Sequence, residues 1–201
     1  MSVTGPRPPA QLRRYAHQDP GDGVCLMEYV SLLAGAPFGD DPACVHPLLN
    51  VLGRLVNDAM SDEGRNELLV LAPALAATGA VSGPYSTERI EYVCRRAVRS
   101  ATAAGTRAGR RALRRERAAA RRCRAPGRGK VARWVRLHGP ARRTAETAVR
   151  TLARLPVQEA DHALYRLLAD CAEATGVRAG DRRQPRPAGG APSLSAAGLS
   201  R

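Results

Sequence analysis

Aromatic side chains are nearly missing from this chain: one Trp, one Phe and five Tyr amount to 3% of its 201 residues. With 44% hydrophobic residues and so few rings, a core has to be assembled from Leu, Val and Ala, which favours packed helices over a β-sandwich. The alternation of apolar and polar side chains that marks a strand, bounded by turn residues, is also missing. Long hydrophobic runs are absent too. The longest, Leu68 to Val81, covers about 14 residues and contains Pro73, too short and too broken to span a bilayer of roughly 30 Å. No apolar segment follows the charges of the opening MSVTGPRPPAQLRRY, so no secretory leader is expected. Five widely spaced cysteines, Cys25, Cys44, Cys94, Cys123 and Cys171, are an odd number in a chain large enough to fold without disulfides. Reduced thiols and a cytoplasmic location follow as expectations.

Recognisable catalytic arrangements are missing as well. Gly127 and Gly129 sit in a run of Arg without the Lys-Ser/Thr ending of a phosphate-binding loop, and neither G-x-S-x-G nor H-E-x-x-H occurs. His162, next to the core-facing Ala163, reads as a surface or boundary histidine. Glu88 and Glu91 share a helix face, where they support Arg95 by an i, i+4 pair. No catalytic residue and no cofactor are expected, and the chain reads as a non-enzyme.

What the sequence has in excess is arginine, which makes up 31 of its 32 basic residues. The net charge of +14 is unevenly placed. Residues 1–90 carry 6 basic and 10 acidic side chains, residues 91–136 carry 16 and 2, and residues 137–201 carry 10 and 6. A GC-rich genome accounts for Arg in place of Lys. It does not account for the loss of acids from one block of the chain.

The rest reads as an all-α fold, a five- to six-helix bundle with a long basic helix or insertion and disordered termini. Residues 1–23, rich in Pro, Gly and charge, are expected as a flexible arm. The first half of the core spans 24–104. Its first helix runs from Val24 to Leu33, with Gly35 as its C-terminal cap, and its second starts near Pro47 and buries Leu48, Leu49, Leu52, Leu55, Val56 and Ala59. Ser61 caps a third helix, from Asp62 to about Leu71. Pro73 there ends the helix, kinks it or opens another short one before Gly79. Ser86 and Glu88 open a long helical pattern from Thr87 towards Arg124. Its apolar stripe (Ile90, Val93, Ala97, Val98, Ala101) disappears after Gly105, so residues 105–139 are expected to project or to stay disordered. Two helices, Pro140 to Leu155 and Glu159 to about Thr175, form a hairpin at Pro156 that completes the core over 140–176. Residues 177–201 are expected to be disordered.

Within the basic block, Arg110, Arg114, Arg117 and Arg121 recur at helical spacing, while Arg111, Arg115 and Arg122 widen the same face; Arg124, and Arg128 and Lys130 at and beyond the break that begins at Pro126-Gly127, are further candidate phosphate contacts. Such a stripe suits the regularly spaced phosphates of a nucleic acid, where it releases counterions and where each guanidinium grips bidentately. No Asn or Gln stands among these residues to read a base edge, and Trp134 is the aromatic nearest to them. The pattern therefore suits affinity without sequence reading, for a nucleic acid or an acidic protein. The lack of an accompanying apolar face argues against a membrane surface.

A second constellation, Cys25, Glu28, Cys44 and His46, contains chemically suitable zinc ligands, but at a spacing that matches no standard finger. The competing reading has two packed cysteines and a His46 that caps the second helix.

The segments Cys25-Leu26-Met27-Glu28-Tyr29-Val30, Leu33-Ala34-Gly35, Asp41-Pro42-Ala43-Cys44 and Leu55-Val56-Asn57-Asp58 resemble the opening of a family of uncharacterised small proteins of high-GC actinobacteria and their phages. The likeness covers roughly residues 20–78 and extends to the hairpin near Leu164-Tyr165-Arg166-Leu167-Leu168. It implies an origin and a compartment but no activity.

Three functions remain open on the sequence: an accessory protein that binds nucleic acid non-specifically through its Arg-rich segment; a protein–protein interaction or regulatory module that uses residues 24–90, with a passive insertion; and a metal- or redox-responsive module at Cys25 and Cys44.

Overall fold

The computed structural model of the chain describes residues 11–79, 86–103 and 137–175. Among them there is no strand, and the fold is all-helical. The elements are α1 (Leu26–Leu33), α2 (Pro47–Ala59), α3 (Asp62–Arg65), a 3-10 helix (Asn66–Leu71), α4 (Ala72–Ala76), α5 (Ser86–Ala103), a π-helical turn (Leu137–Ala141), α6 (Arg142–Leu152) and α7 (Val157–Ala174). α2, α5, α6 and α7 pack against one another as the main bundle, and α1 packs against α2 and α4.

The apolar positions expected of each helix meet in a single core. Leu26, Met27 and Val30 of α1, Leu48, Leu49, Leu52 and Val56 of α2, Ile90, Cys94 and Val98 of α5, and Leu164, Leu167, Leu168 and Cys171 of α7 are all buried there. α6 contributes mainly small side chains, Ala145 and Ala148, preceded one turn earlier by Ala141. These alanines let the α6 backbone lie close to α2 and α5. Its buried Thr144 and Thr151 hydroxyls donate back to the carbonyls of Pro140 (3.0 Å) and Thr147 (2.7 Å), which satisfies them inside an apolar interface.

Helix ends follow local chemistry. Gly35 adopts φ +65; its N–H donates to Leu32 O at 3.1 Å and that of Ala36 to Ser31 O at 2.9 Å, the paired bonds of a Schellman ending. Pro47 opens α2, and Ser61 Oγ accepts from Gly64 N at 3.1 Å.

Several expectations are corrected. The first helix begins at Leu26, because Cys25 is already extended and serves as its N-cap. The single helix expected over 62–71 tightens after Arg65 into the 3-10 form, which places Leu68 and Leu71 on the buried side at its three-residue repeat. Pro73 opens α4. Leu137 to Ala141, divided between the basic segment and the hairpin on sequence grounds, is one π-helical turn that includes Pro140 and whose Ala141 is buried. The helix after it ends at Leu152.

The largest correction concerns the N-terminal arm. From residue 11 onward it is a strap bound to the bundle. Leu12 is 1% exposed, Leu12 N donates to Asn66 Oδ1 at 2.8 Å and Tyr15 N to Asp58 Oδ1 at 2.8 Å. Asn57 Nδ2 donates to Arg13 O at 2.9 Å, and the Arg14 guanidinium to Met60 O at 3.0 Å. Arg65, 2% exposed, backs this strap: its guanidinium donates to Asn57 O at 2.8 Å and Met60 O at 2.9 Å. The parts of the expected arm, basic segment and tail that fall on residues 1–10, 104–136 and 176–201 lie outside the described residues.

Candidate nucleic-acid interface

All the arginines singled out in the basic block, from Arg110 to Arg128, and Lys130, Trp134 and Cys123 lie outside the described residues. What the structure places is the body that carries them. α5 leads into the block from one side, and the turn at Leu137–Ala141, which packs against α5, receives it on the other.

α5 divides cleanly by chemistry. Its inner side holds Ile90, Cys94 and Val98, while Arg89, Tyr92, Arg96 and Arg99 are exposed. Arg95 stands between the two sides, 3.4 Å from the buried Glu91 carboxylate, so the i, i+4 support expected on this helix comes from Glu91. Arg96 reaches Asp170 on α7 at 3.2 Å, and Arg166 faces the same carboxylate at 3.7 Å. On α6, Arg142 and Arg150 share Glu146 at 3.0 and 3.3 Å, and Arg143 is exposed beside them. Exposed pairs of this kind contribute little to stability, so their guanidiniums can exchange a carboxylate for a phosphate at low cost.

The Cys25, Glu28, Cys44 and His46 constellation is divided by the fold. Glu28 is fully buried, and its carboxylate accepts from Cys25 N at 2.7 Å, from His17 Nδ1 at 2.9 Å and from the His17 backbone N–H. Burial pushes the Cys25 thiol up to about 12, and the nearby Glu28 charge adds to the rise. Cys44 is half-buried, its carbonyl accepts from Gly79 N at 2.7 Å, and burial raises its thiol as well. His46 caps α2: its Nδ1 accepts from Leu48 N at 3.2 Å, and its Nε2 lies 3.0 Å from Ser86 Oγ and 3.4 Å from Thr87 Oγ1. Among the described residues no three His, Cys, Asp or Glu side chains converge to hold a metal ion.

The contact between Ser86 and His46 resembles a nucleophile with its base, but the proton is on the wrong nitrogen. Because Nδ1 accepts from a backbone N–H, Nε2 carries the hydrogen and donates to the serine, and so has no lone pair with which to take the serine proton. The pair ties the start of α5 to the start of α2. A second side-chain pair, Cys94 and Cys171, brings two buried thiols to 3.9 Å between α5 and α7, and burial together with Cys94 raises Cys171 well above the ordinary thiol range. Thiols held this way are unreactive.

Sequence reasoning missed His17, Arg65 and Asp161. The Asp161 carboxylate accepts from Ser61 N at 2.9 Å and from Ser61 Oγ, which fixes the start of α7 to the cap of α3. His162, next to it, is exposed. No helix among the described residues is long and apolar enough to cross a membrane. Compared with protein-family models, with curated proteins and with solved structures, the chain finds no match in any of the three.

Proposed function

We propose that this chain is a non-enzymatic helical accessory protein of the cytoplasm that binds nucleic acid through phosphates, with little sequence preference, by means of its Arg-rich segment. The observation that carries the reading is the segregation of charge: residues 104–136 hold 13 basic side chains and 1 acidic one, joined at both ends to a folded body. Salt-bridged or exposed arginines on α5 and α6 adjoin that segment and can add phosphate contacts.

The test is a titration of the full chain with labelled DNA and RNA at low and moderate salt. It is run beside a variant with Arg110, Arg111, Arg114, Arg115, Arg117, Arg121 and Arg122 replaced by Gln. Binding that weakens steeply with salt in the parent, with a shallower slope and a large loss of affinity in the variant, is the expected result. Weak binding that is indifferent to the seven substitutions would remove the reading and turn attention to a protein partner of residues 24–90.

A further inference from the structure

The outward row of α5 carries more than charge. Arg89, Tyr92, Arg96 and Arg99 follow one another at spacings of three, four and three residues, which stacks them along one side of the helix over about 15 Å. Tyr92 is 59% exposed in the middle of that row, with an arginine one turn before it and another one turn after. Beside its ring lies an open concavity of about 500 Å³ lined by Glu88, Arg89, Tyr92, Val93 and Ala174. An apolar ring held in water between two guanidiniums, with space against it, has the two components of a single-strand platform: a π-face for a base and cations for the phosphates on either side.

From this arrangement we infer that the α5 row binds single-stranded nucleic acid, with one base stacked on Tyr92 inside the concavity and the backbone passing Arg89, Arg96 and Arg99. The inference rests on the nucleic-acid reading above and narrows it. In a duplex the bases are stacked on each other and offer Tyr92 only edges or backbone, so the ring adds nothing there. Arg96 is released from Asp170 when a phosphate takes its place, an exchange between two solvent-accessible anions. Because Asp170 and Glu88 offset part of the positive charge, this face adds selectivity for single strands, and the adjoining basic segment supplies most of the attraction.

The experiment compares the full chain with its Tyr92→Ala and Tyr92→Phe variants, titrated by fluorescence anisotropy against a short labelled single strand and against the duplex of the same sequence. Tyr92 is exposed, so neither substitution removes core packing, and circular dichroism checks that each variant is folded. The expected result is a single-strand preference in the parent, a loss of roughly five- to hundred-fold in Tyr92→Ala on the single strand only, and near-parental binding by Tyr92→Phe, which keeps the ring. If Tyr92→Ala binds the single strand as the parent does, the stacking inference is overturned while the phosphate-binding reading stands. If the parent binds neither strand, the nucleic-acid reading falls and this inference falls with it.

Discussion

Replacing Glu28 by Gln keeps the shape of a fully buried side chain and changes only its hydrogen-bonding chemistry. The carboxylate serves three N–H donors with two oxygens: one oxygen takes the His17 backbone, the other takes Cys25 N and His17 Nδ1. An amide has one oxygen and one NH2. With its oxygen towards Cys25, the NH2 meets the His17 backbone N–H; turned the other way, it meets the N–H of Cys25. Either orientation leaves one backbone donor facing another donor in a site closed to water. A buried unsatisfied group costs about 1–3 kcal/mol, and bonds to a charged acceptor are worth more than neutral ones, so Glu28→Gln should lose about 2–4 kcal/mol. For a domain of this size that lowers the Tm by roughly 5–15 °C. Urea unfolding followed by circular dichroism at neutral pH is the assay, and the midpoint should fall with little change in slope. His17→Ala, which keeps the backbone donor and removes only the ring, should lose less. If Glu28→Gln unfolds within about 0.5 kcal/mol of the parent, the carboxylate is not what holds the strap and the start of α1, and the reasoning fails.

Further outcomes follow from the same contacts. A Cβ at Gly64 would overlap the Asp161 carboxylate, so Gly64→Ala should cost about 1–3 kcal/mol, and the double variant Gly64→Ala with Asp161→Ala should be more stable than the sum of its parts predicts. With the Cys25 thiol pushed from 9.0 up to about 12, the native chain keeps a proton that the unfolded chain releases. Stability is therefore full below about pH 9 and falls as pH rises towards 12. Urea midpoints measured on either side of about pH 9 should show that slope, and Cys25→Ser should make it shallower, the remainder coming from Cys44 and Cys171, whose thiols burial raises as well. Under native conditions an alkylating reagent should modify Cys44 faster than the fully packed Cys94 and Cys171, and all of them should react together once urea unfolds the chain.

Elements governed by periodicity or by a local cap were legible from the residues alone. Pro47 with the leucines of α2, Gly35 after α1, Ser61 before α3 and the apolar stripe of α7 each state their structure within a few residues. What escaped the sequence depends on partners far along the chain. The strap over residues 11–23 has no periodic apolar pattern; it is held by Asn57, Asp58 and Asn66, side chains that read as ordinary surface polar residues. The 3-10 stretch after Arg65 was hidden because Leu68 and Leu71 fit a helix of either pitch. Glu28 looked like a ligand since its bonds to His17 cannot be anticipated from spacing. Tyr92 passed unnoticed because its side of α5 is defined by which other side is buried, and that is a property of the packed bundle.

α5 ends at Ala103, and the described chain resumes at Leu137 in a turn packed against α5. The two attachment points of the connection are thus fixed by the body, whatever lies between. Closing a chain between fixed points depends only logarithmically on its length, about 0.6 kcal/mol for each doubling. A flexible connection of another length, joined to the same two points, would therefore cost the bundle almost nothing in folding. On the proposed function the bundle is then a mounting: its helices keep the two anchor points in place when the length or charge of the connection is changed.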